Sequence, residues 1–203
     1  ILSVTVTSLY FFSFSFVGLD FFNTKLIMAL FGLFVYAYNA AKGHTGSIPK
    51  KFTDLTIYGL FFSLCCFISV IYNNTSDYSY ATYFMSMWVW LSGAYFACHC
   101  IKKFYGELSL KSLSDILILV CVFQCIAALL IDNSNAIKSF VDSFANQGQT
   151  FLTAKHRLYG IGASLDVAGT RFAAVLILTA NIITTYKDKQ YGWRLPYYLA
   201  AFI

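Results

Sequence analysis

The residue types best suited to chemistry in this chain lie in one stretch, from His156 to Ala173. The stretch contains two of the three arginines, Arg157 and Arg171, and leads directly into a long apolar run. An arginine at the centre of a lipid-embedded helix costs about 2.5 to 3.5 kcal/mol to insert, so an arginine within a span normally faces a cavity or a partner. The stretch is therefore the predicted functional site.

Arginines beside a helix N-terminus favour anion binding, because the guanidinium groups and the free N–H groups all present positive charge. The helix is expected to open between Ser164 and Val167, with Ser164 or Asp166 as its cap. The anion available at membrane depth is a lipid phosphate or pyrophosphate. A structural role is the alternative, in which Arg171 pairs with Asp166 or with a carboxylate on another span, and Arg157 extends to the headgroups.

Other residues of the stretch suit roles at such a site. Gly160 and Gly162 allow positive φ and a close approach of the backbone to a ligand. His156 is the candidate general base, because the like charge beside it disfavours its protonated form; its alternative role is that of a solvated loop histidine. Asp166 is included among the substrate-binding residues, and its other possible roles are an alternative base or the helix cap. Asp142 either binds a sugar or is solvated, and solvation is the default.

Composition indicates a membrane protein. The chain has 203 residues, of which 59% are hydrophobic and only 11% charged, too little charge for the surface of a soluble domain. Its apolar blocks of roughly 18 to 22 residues match a hydrocarbon layer of about 30 Å. The sequence begins and ends within apolar runs, and we expect a fragment truncated at both ends.

The predicted fold is all-α, a polytopic transmembrane bundle of about six complete spans plus the start of a seventh, forming one domain over residues 1–203. The predicted spans are Ile1–Leu19, Leu26–Ala41, Leu55–Tyr72, Ala81–Ile101, Leu113–Ile131 and Val167–Tyr186. A short turn is expected between the first two spans, at Asp20–Lys25. Ser112 or Ser114 is the expected N-cap of the fifth span.

The distribution of lysine and arginine between loops predicts the orientation of the spans. One alternate set of loops holds nine: Lys42, Lys50, Lys51, Lys102, Lys103, Lys111, Lys187, Lys189 and Arg194. The opposite set holds five: Lys25, Lys138, Lys155, Arg157 and Arg171. The richer side is predicted to be cytoplasmic, which makes residues 132–165 an external, periplasmic loop.

Because the cations lie at span ends rather than on a soluble face, the net charge of +5 does not indicate nucleic-acid binding.

Neither a metal nor a cofactor is predicted. The sequence Cys98-His99-Cys100 resembles a ligand cluster, but adjacent residues of a helix point about 100° apart and cannot converge on one ion. The six cysteines form no CxxC pair and are interpreted as small apolar residues.

The run RLYGIGASLDVAGTRFA, from Arg157 to Ala173, resembles the O-antigen polymerase and O-antigen ligase superfamily of bacterial inner-membrane proteins. In that family an arginine-glycine stretch precedes a span, and a small-residue motif opens the next helix. The likeness covers these 17 residues and the general layout of aromatic-rich spans with short loops.

The resemblance implies a polymerase that joins oligosaccharide repeats carried on undecaprenyl pyrophosphate, at the periplasmic face and without a cofactor. By the same resemblance, Arg157 and Arg171 bind the donor pyrophosphate, and a protein that sets chain length is a further partner. The family's base normally lies further along the chain than residue 203, so His156 is not equated with it. The alternatives are a ligase-type transferase, a lipid-linked oligosaccharide flippase and a scaffold without activity. The scarcity of charged residues in the first five spans favours surface chemistry over transport.

Overall fold

The computed structural model describes residues 2–43, 48–146, 158–163 and 165–185. The described helices are α1 (Leu2–Phe11), α2 (Thr24–Ala41), α3 (Ile48–Tyr72), α4 (Tyr83–Tyr105), α5 (Leu110–Asn133), α6 (Asn135–Phe144) and α7 (Leu165–Thr185). The strands are β1 (Ser15–Phe16), β2 (Leu19–Asn23) and β3 (Ala145–Asn146). The chain divides into two compact units: the first is Ile1–Lys25 with Ala97–Ile203, and the second is Leu26–Phe96.

Helices α2, α3, α4 and α5 are long and apolar enough to cross a membrane. Their apolar segments have 18 to 24 residues, about 27 to 36 Å at 1.5 Å per residue, which matches the hydrocarbon thickness. A span is predicted from the sequence at each of these positions, although α3 begins at Ile48 rather than Leu55. In α7 the part with described side chains is the apolar segment Ala168–Ile182. The prediction of six complete spans is wrong for the described part of the chain, where four helices meet the length and hydropathy of a span.

The predicted first span, Ile1–Leu19, is also wrong. Helix α1 has 10 residues and is about 15 Å long, half of what a bilayer needs. Serine and phenylalanine alternate over residues 13–16, a period of two that favours extended chain. Strand β1 pairs there with β2 across a turn in which Gly18 has φ +79°. The short turn predicted at Asp20–Lys25 is therefore largely occupied by β2.

The side chain of Thr24 ties the hairpin and the start of α2 to the end of α1. Its hydroxyl accepts a hydrogen bond from the Phe14 N–H at 3.2 Å and donates one to the Leu9 carbonyl at 2.8 Å. Thr24 is buried. Since the last carbonyls of a helix have no partner within it, a buried helix end needs a contact of this kind.

Helix α5 begins one turn earlier than predicted. Ser109 is its N-cap, and its hydroxyl accepts from the N–H of Ser112 while the Ser112 hydroxyl accepts from the N–H of Ser109. The caps predicted at Ser112 and Ser114 are therefore wrong, because Ser112 is the third residue of a capping box. Ser114 instead donates to the carbonyl of Leu110 at 2.8 Å.

The segment predicted as an external loop, 132–165, contains regular structure in its described part. Helix α6 starts one residue after α5 ends, with Ser134 serving as the C-cap of α5 and the N-cap of α6. Strand β3 then pairs antiparallel with β1, which places the strands in the order β2-β1-β3. The small sheet thus joins the hairpin that follows α1 to the chain that follows α6.

The core of the first unit lies between α1, α5 and α7. Its buried side chains come from α5, from α7, from the end of α4 and from the residues next to α1 and α7, and Val4 and Phe11 of α1 pack against them. They are Phe12, Ile101, Ile116, Leu117, Ile118, Val120, Cys121, Ala163 and Val175. A second cluster lies under the sheet and α6. It contains Phe14, Ile131, Val141, Ala145 and Tyr159.

In the second unit the helices approach closely and expose large apolar side chains. A Cβ atom on Gly32 of α2 would overlap the carbonyl oxygen of Ser92 on α4, so glycine permits the contact, as small residues commonly do between membrane helices. Phe61 of α3 is 68% exposed. Outward apolar side chains on a helix of span length indicate contact with lipid.

Candidate functional site

A buried segment without helix or strand, residues 158–163, lies next to α1 and α5. Tyr159, Gly160, Gly162 and Ala163 are buried, and the Gly160 N–H donates to the Ala163 carbonyl at 3.1 Å. Irregular backbone among membrane helices must find hydrogen-bond partners in the protein, because no water replaces them. Those partners identify the elements that hold the segment.

Gln124, in the middle of α5, supplies two of these hydrogen bonds. Its Nε2 donates to the carbonyl of Ile161 at 2.9 Å, and its Oε1 accepts from the N–H of Ile161 at 2.9 Å. The amide thus pairs with the peptide groups of one residue as a neighbouring strand would. The same Nε2 lies 3.3 Å from the hydroxyl of Ser8 on α1. Gln124 is 2% exposed, so one buried side chain joins α1, α5 and the segment.

The glycines of the segment have a packing role. A Cβ on Gly160 would lie 2.5 Å from Oε1 of Gln124, and one on Gly162 would overlap the carbonyl oxygen of Phe12. Gly162 also has φ +76°, which other residues rarely adopt. The positive φ that the sequence allows at both positions is found at Gly162 and not at Gly160. Their role in binding substrate stays a prediction. Gly169, by contrast, faces open space.

Tyr159 and Asp142 form a hydrogen-bonded pair that sequence reasoning missed. The tyrosine hydroxyl lies 3.1 Å from both carboxylate oxygens of Asp142 on α6. Burial, followed by the hydrogen bond to Asp142 and its negative charge, raises the pKa of Tyr159 to about 12. Asp142 is therefore a partner of the buried segment rather than a solvated loop residue. Nothing in the sequence pairs these residues, because 17 positions separate them.

Arg171 lies in the second turn of α7 and is partly buried. Its guanidinium carbon is 5.7 Å from the ring centre of Phe11 and 5.8 Å from that of Phe12, within the range of a cation–π interaction. The ring of Phe172 lies 5.5 Å from that of Phe12. The charged group is thus held against aromatic faces at the end of α1.

Of the side chains that the structure describes, the cation Lys25 and the phenol of Tyr10 lie near Arg171. Lys25, at the start of α2, is close enough for the two positive charges to repel each other. Tyr10, on α1, interacts electrostatically with the guanidinium. Among the residues with described side chains, no carboxylate pairs with Arg171, so a structural ion pair for it is not found there. Two cations at the end of an apolar bundle attract an anion.

The remaining predicted site residues lie outside the description. His156 and Arg157 fall in a range that the structure does not describe, and for Asp166 only the backbone, in the first turn of α7, is described. Ser164, the alternative cap, is also outside the described residues. Their assigned roles stay predictions.

Metal binding finds no site within the described ranges. No group of three histidine, cysteine, aspartate or glutamate side chains is arranged to hold an ion there. Cys98, His99 and Cys100 lie on the regular helix α4, which keeps the three side chains on different faces.

Comparison with known proteins gives no relative: no family model, no curated protein and no solved structure matches the chain. The residues themselves therefore carry the functional argument.

Substituting alanine for Gly162 should unfold or strongly destabilise the protein. The change adds positive-φ strain of about 1 to 2 kcal/mol and drives a methyl group into the carbonyl of Phe12. Gly18→Ala is the matched control, because Gly18 has φ +79° and open space around it, so that only the strain applies. Unfolding in detergent micelles measures both. Equal losses in the two variants would contradict the close approach of the segment to Phe12.

The Tyr159–Asp142 pair should make the free energy of unfolding depend on pH in the alkaline range. The ordinary tyrosine pKa of 10.0 is raised to about 12 in the folded protein, so folding favours the neutral phenol. The stabilisation by Tyr159 is fully present below pH 10 and is lost as the pH rises through 12, at up to about 1.4 kcal/mol per pH unit. The difference in free energy of unfolding between the wild type and Tyr159→Phe, measured from pH 8 to 12, should shrink over this range. A constant difference would refute the pairing.

Proposed function

We propose that the chain is part of a bacterial surface-polysaccharide polymerase, which transfers oligosaccharide repeats carried on a lipid pyrophosphate at the periplasmic face of the inner membrane. In this proposal α2 to α5 and α7 cross the membrane several times. The hairpin and α6 lie on the outer side, as the distribution of lysine and arginine predicts, and the segment 158–163 extends from that side into the bundle.

The observation that carries the proposal is the setting of Arg171. A partly buried guanidinium, with a second cation nearby and no carboxylate partner among the described side chains, is costly at the end of an apolar bundle unless an anion neutralises it. A pyrophosphate attached to a long isoprenoid meets this need, since its charge lies at the headgroup level and its tail in the bilayer. Arginine binds phosphate oxygens in a bidentate manner and stays charged throughout.

The chemistry follows from the binding of the leaving group. An acceptor sugar hydroxyl attacks the anomeric carbon of the donor and forms the new C–O bond. The bond from that carbon to the pyrophosphate oxygen breaks, and its electron pair leaves on the phosphate, where Arg171 and Arg157 stabilise the added charge. The hydroxyl proton passes to a base, for which His156 is the candidate within this sequence.

The buried segment supports the proposal through its position in the chain. It immediately follows Arg157, and Gln124 and Asp142 fix it to α5 and α6. Preorganised groups stabilise a developing charge more effectively than mobile ones because they need not reorganise during the reaction. Because the segment is anchored at Tyr159 and Ile161, it would hold the preceding residue, Arg157, in a fixed position.

Replacing Arg171 and Arg157, separately, by alanine or lysine tests the function. In the full-length protein each change should shorten the surface polymer to single repeats, with a loss of about 10²- to 10³-fold in transfer rate, typical for one lost charge-stabilising donor. Lysine should not restore activity, because it lacks the planar fork. The measurement is the length distribution of the surface polysaccharide, with membrane insertion checked for every variant.

Lys138→Ala is the matched control, as Lys138 is another cation on the predicted outer side and lies on α6, remote in sequence from the arginines. It should leave the polymer unchanged. A full-length polymer in every arginine variant would overturn the proposal. Loss of single repeats together with polymer would indicate a flippase instead.

A further inference from the structure

The end of α5 passes directly into a second helix at the level of the membrane surface. Helix α5 has 24 residues, about 36 Å in length, slightly more than a hydrocarbon layer. Ser134 alone separates it from α6 and caps both helices. Near this junction Ile126, Leu129 and Leu130 of α5 are 50% to 54% exposed. The exposed apolar surface of α5 therefore reaches Leu130, about one turn before the start of α6.

Helix α6 has an apolar stripe wider than the protein core covers. Ile137, Phe140, Val141 and Phe144 are spaced i, i+3, i+4 and i+7 and share one face. Val141 is 2% exposed and belongs to the cluster under the sheet, whereas Phe140 is 69% and Ile137 36% exposed. One edge of the stripe packs on the protein, and the other faces outward.

The hairpin continues this outward edge. The N–H of Val17 donates to the carbonyl of Phe144 at 3.1 Å, and the rings of Phe140 and Phe144 lie 5.4 Å apart. Val17 is 52% and Leu19 57% exposed. The exposed side chains Val17, Leu19, Ile137 and Phe140 are called the apolar rim below.

We infer that the apolar rim inserts into the outer lipid leaflet, so that α6 and the hairpin lie in the membrane interface. A helix with one apolar and one polar face, joined without a linker to a membrane span, has the properties of an interfacial helix. The opposite face of α6 is polar. It carries Asn135, Lys138, Ser139, Asp142 and Ser143.

Lipid is the occupant that the structure favours, because α6 follows the span α5 after a single residue and the apolar side chains of α5 are exposed up to Leu130. The consequence concerns the position of the site. Asp142 holds Tyr159 from the polar face of α6, so insertion of the rim fixes the Tyr159 end of the segment near the interface, while Gln124 holds Ile161 further along α5. The inference rests on the membrane insertion proposed above and not on the transfer chemistry.

Quenching of tryptophan fluorescence by brominated lipid tests the inference. Phe140→Trp, Ser139→Trp and Phe61→Trp are made in full-length protein in which every native tryptophan, including Trp88, Trp90 and Trp193, is replaced by phenylalanine. Each variant is reconstituted in phosphatidylcholine–phosphatidylglycerol vesicles. Ser139 is the matched control on the polar face of α6, and Phe61 reports on insertion of α3. If the tryptophan-free background does not fold, the native tryptophans stay, and the increase in quenching over the parent protein is measured.

An interfacial helix lies about 5 to 10 Å below the headgroup boundary, so lipid brominated near the top of its chains should quench Phe140→Trp about twofold. Ser139→Trp should instead be quenched by aqueous acrylamide.

The inference would be overturned, with the spans left intact, if acrylamide alone quenched Phe140→Trp while lipid quenched Phe61→Trp. A blue-shifted Phe140→Trp signal that no lipid quenches would mean that protein covers the rim, which also overturns it. If lipid quenches neither Phe140→Trp nor Phe61→Trp, both the inference and the proposed membrane insertion fail.

Discussion

The pairing of the Gln124 amide with the peptide groups of Ile161 is the interaction on which the first unit depends. Apolar surroundings leave a buried N–H and C=O without water, and an unpaired group of this kind costs about 1 to 3 kcal/mol. An amide side chain offers a donor and an acceptor together, and the C=O and N–H of one residue need these two groups as partners. Through this pair α5 holds a segment that would otherwise be unstable among helices, and through Ser8 it adds α1 to the same network.

The network also determines where charge can lie. The segment meets the end of α1 at Gly162 and Phe12, and the rings of Phe11 and Phe12 receive Arg171 from α7. The aromatic faces compensate part of the desolvation of this guanidinium, and the proposed anion would compensate the rest. The proposed anion site is thus a consequence of how α1 ends. If α1 continued as a span, its last turn would not be available to contact Arg171.

The sequence predicts the long spans well and the short elements poorly, for physical reasons. Helices α2 to α5 are marked by apolar runs long enough to require a helix in lipid, and that requirement does not depend on distant residues. The first 19 residues are equally apolar, but the serine–phenylalanine alternation over residues 13–16 reports a strand and outweighs composition. Gly160 and Gly162 are recognisable as unusual backbone. That Gln124 and Phe12 contact these glycines cannot be recognised in the sequence, because they are distant along the chain. Side-chain chemistry alone does not select them from the other possible partners.

Hydrogen exchange at the amide of Ile161, compared between the wild type and Gln124→Met in full-length protein in lipid nanodiscs, tests the central claim most directly. Methionine keeps the length of the side chain and removes both hydrogen-bonding groups. The account predicts a protected Ile161 amide in the wild type and exchange faster by at least about tenfold, or 1.4 kcal/mol, in the variant, with protection along the rest of α5 retained. Equal exchange at Ile161 in both proteins would contradict it, because the segment would then be held by something other than Gln124.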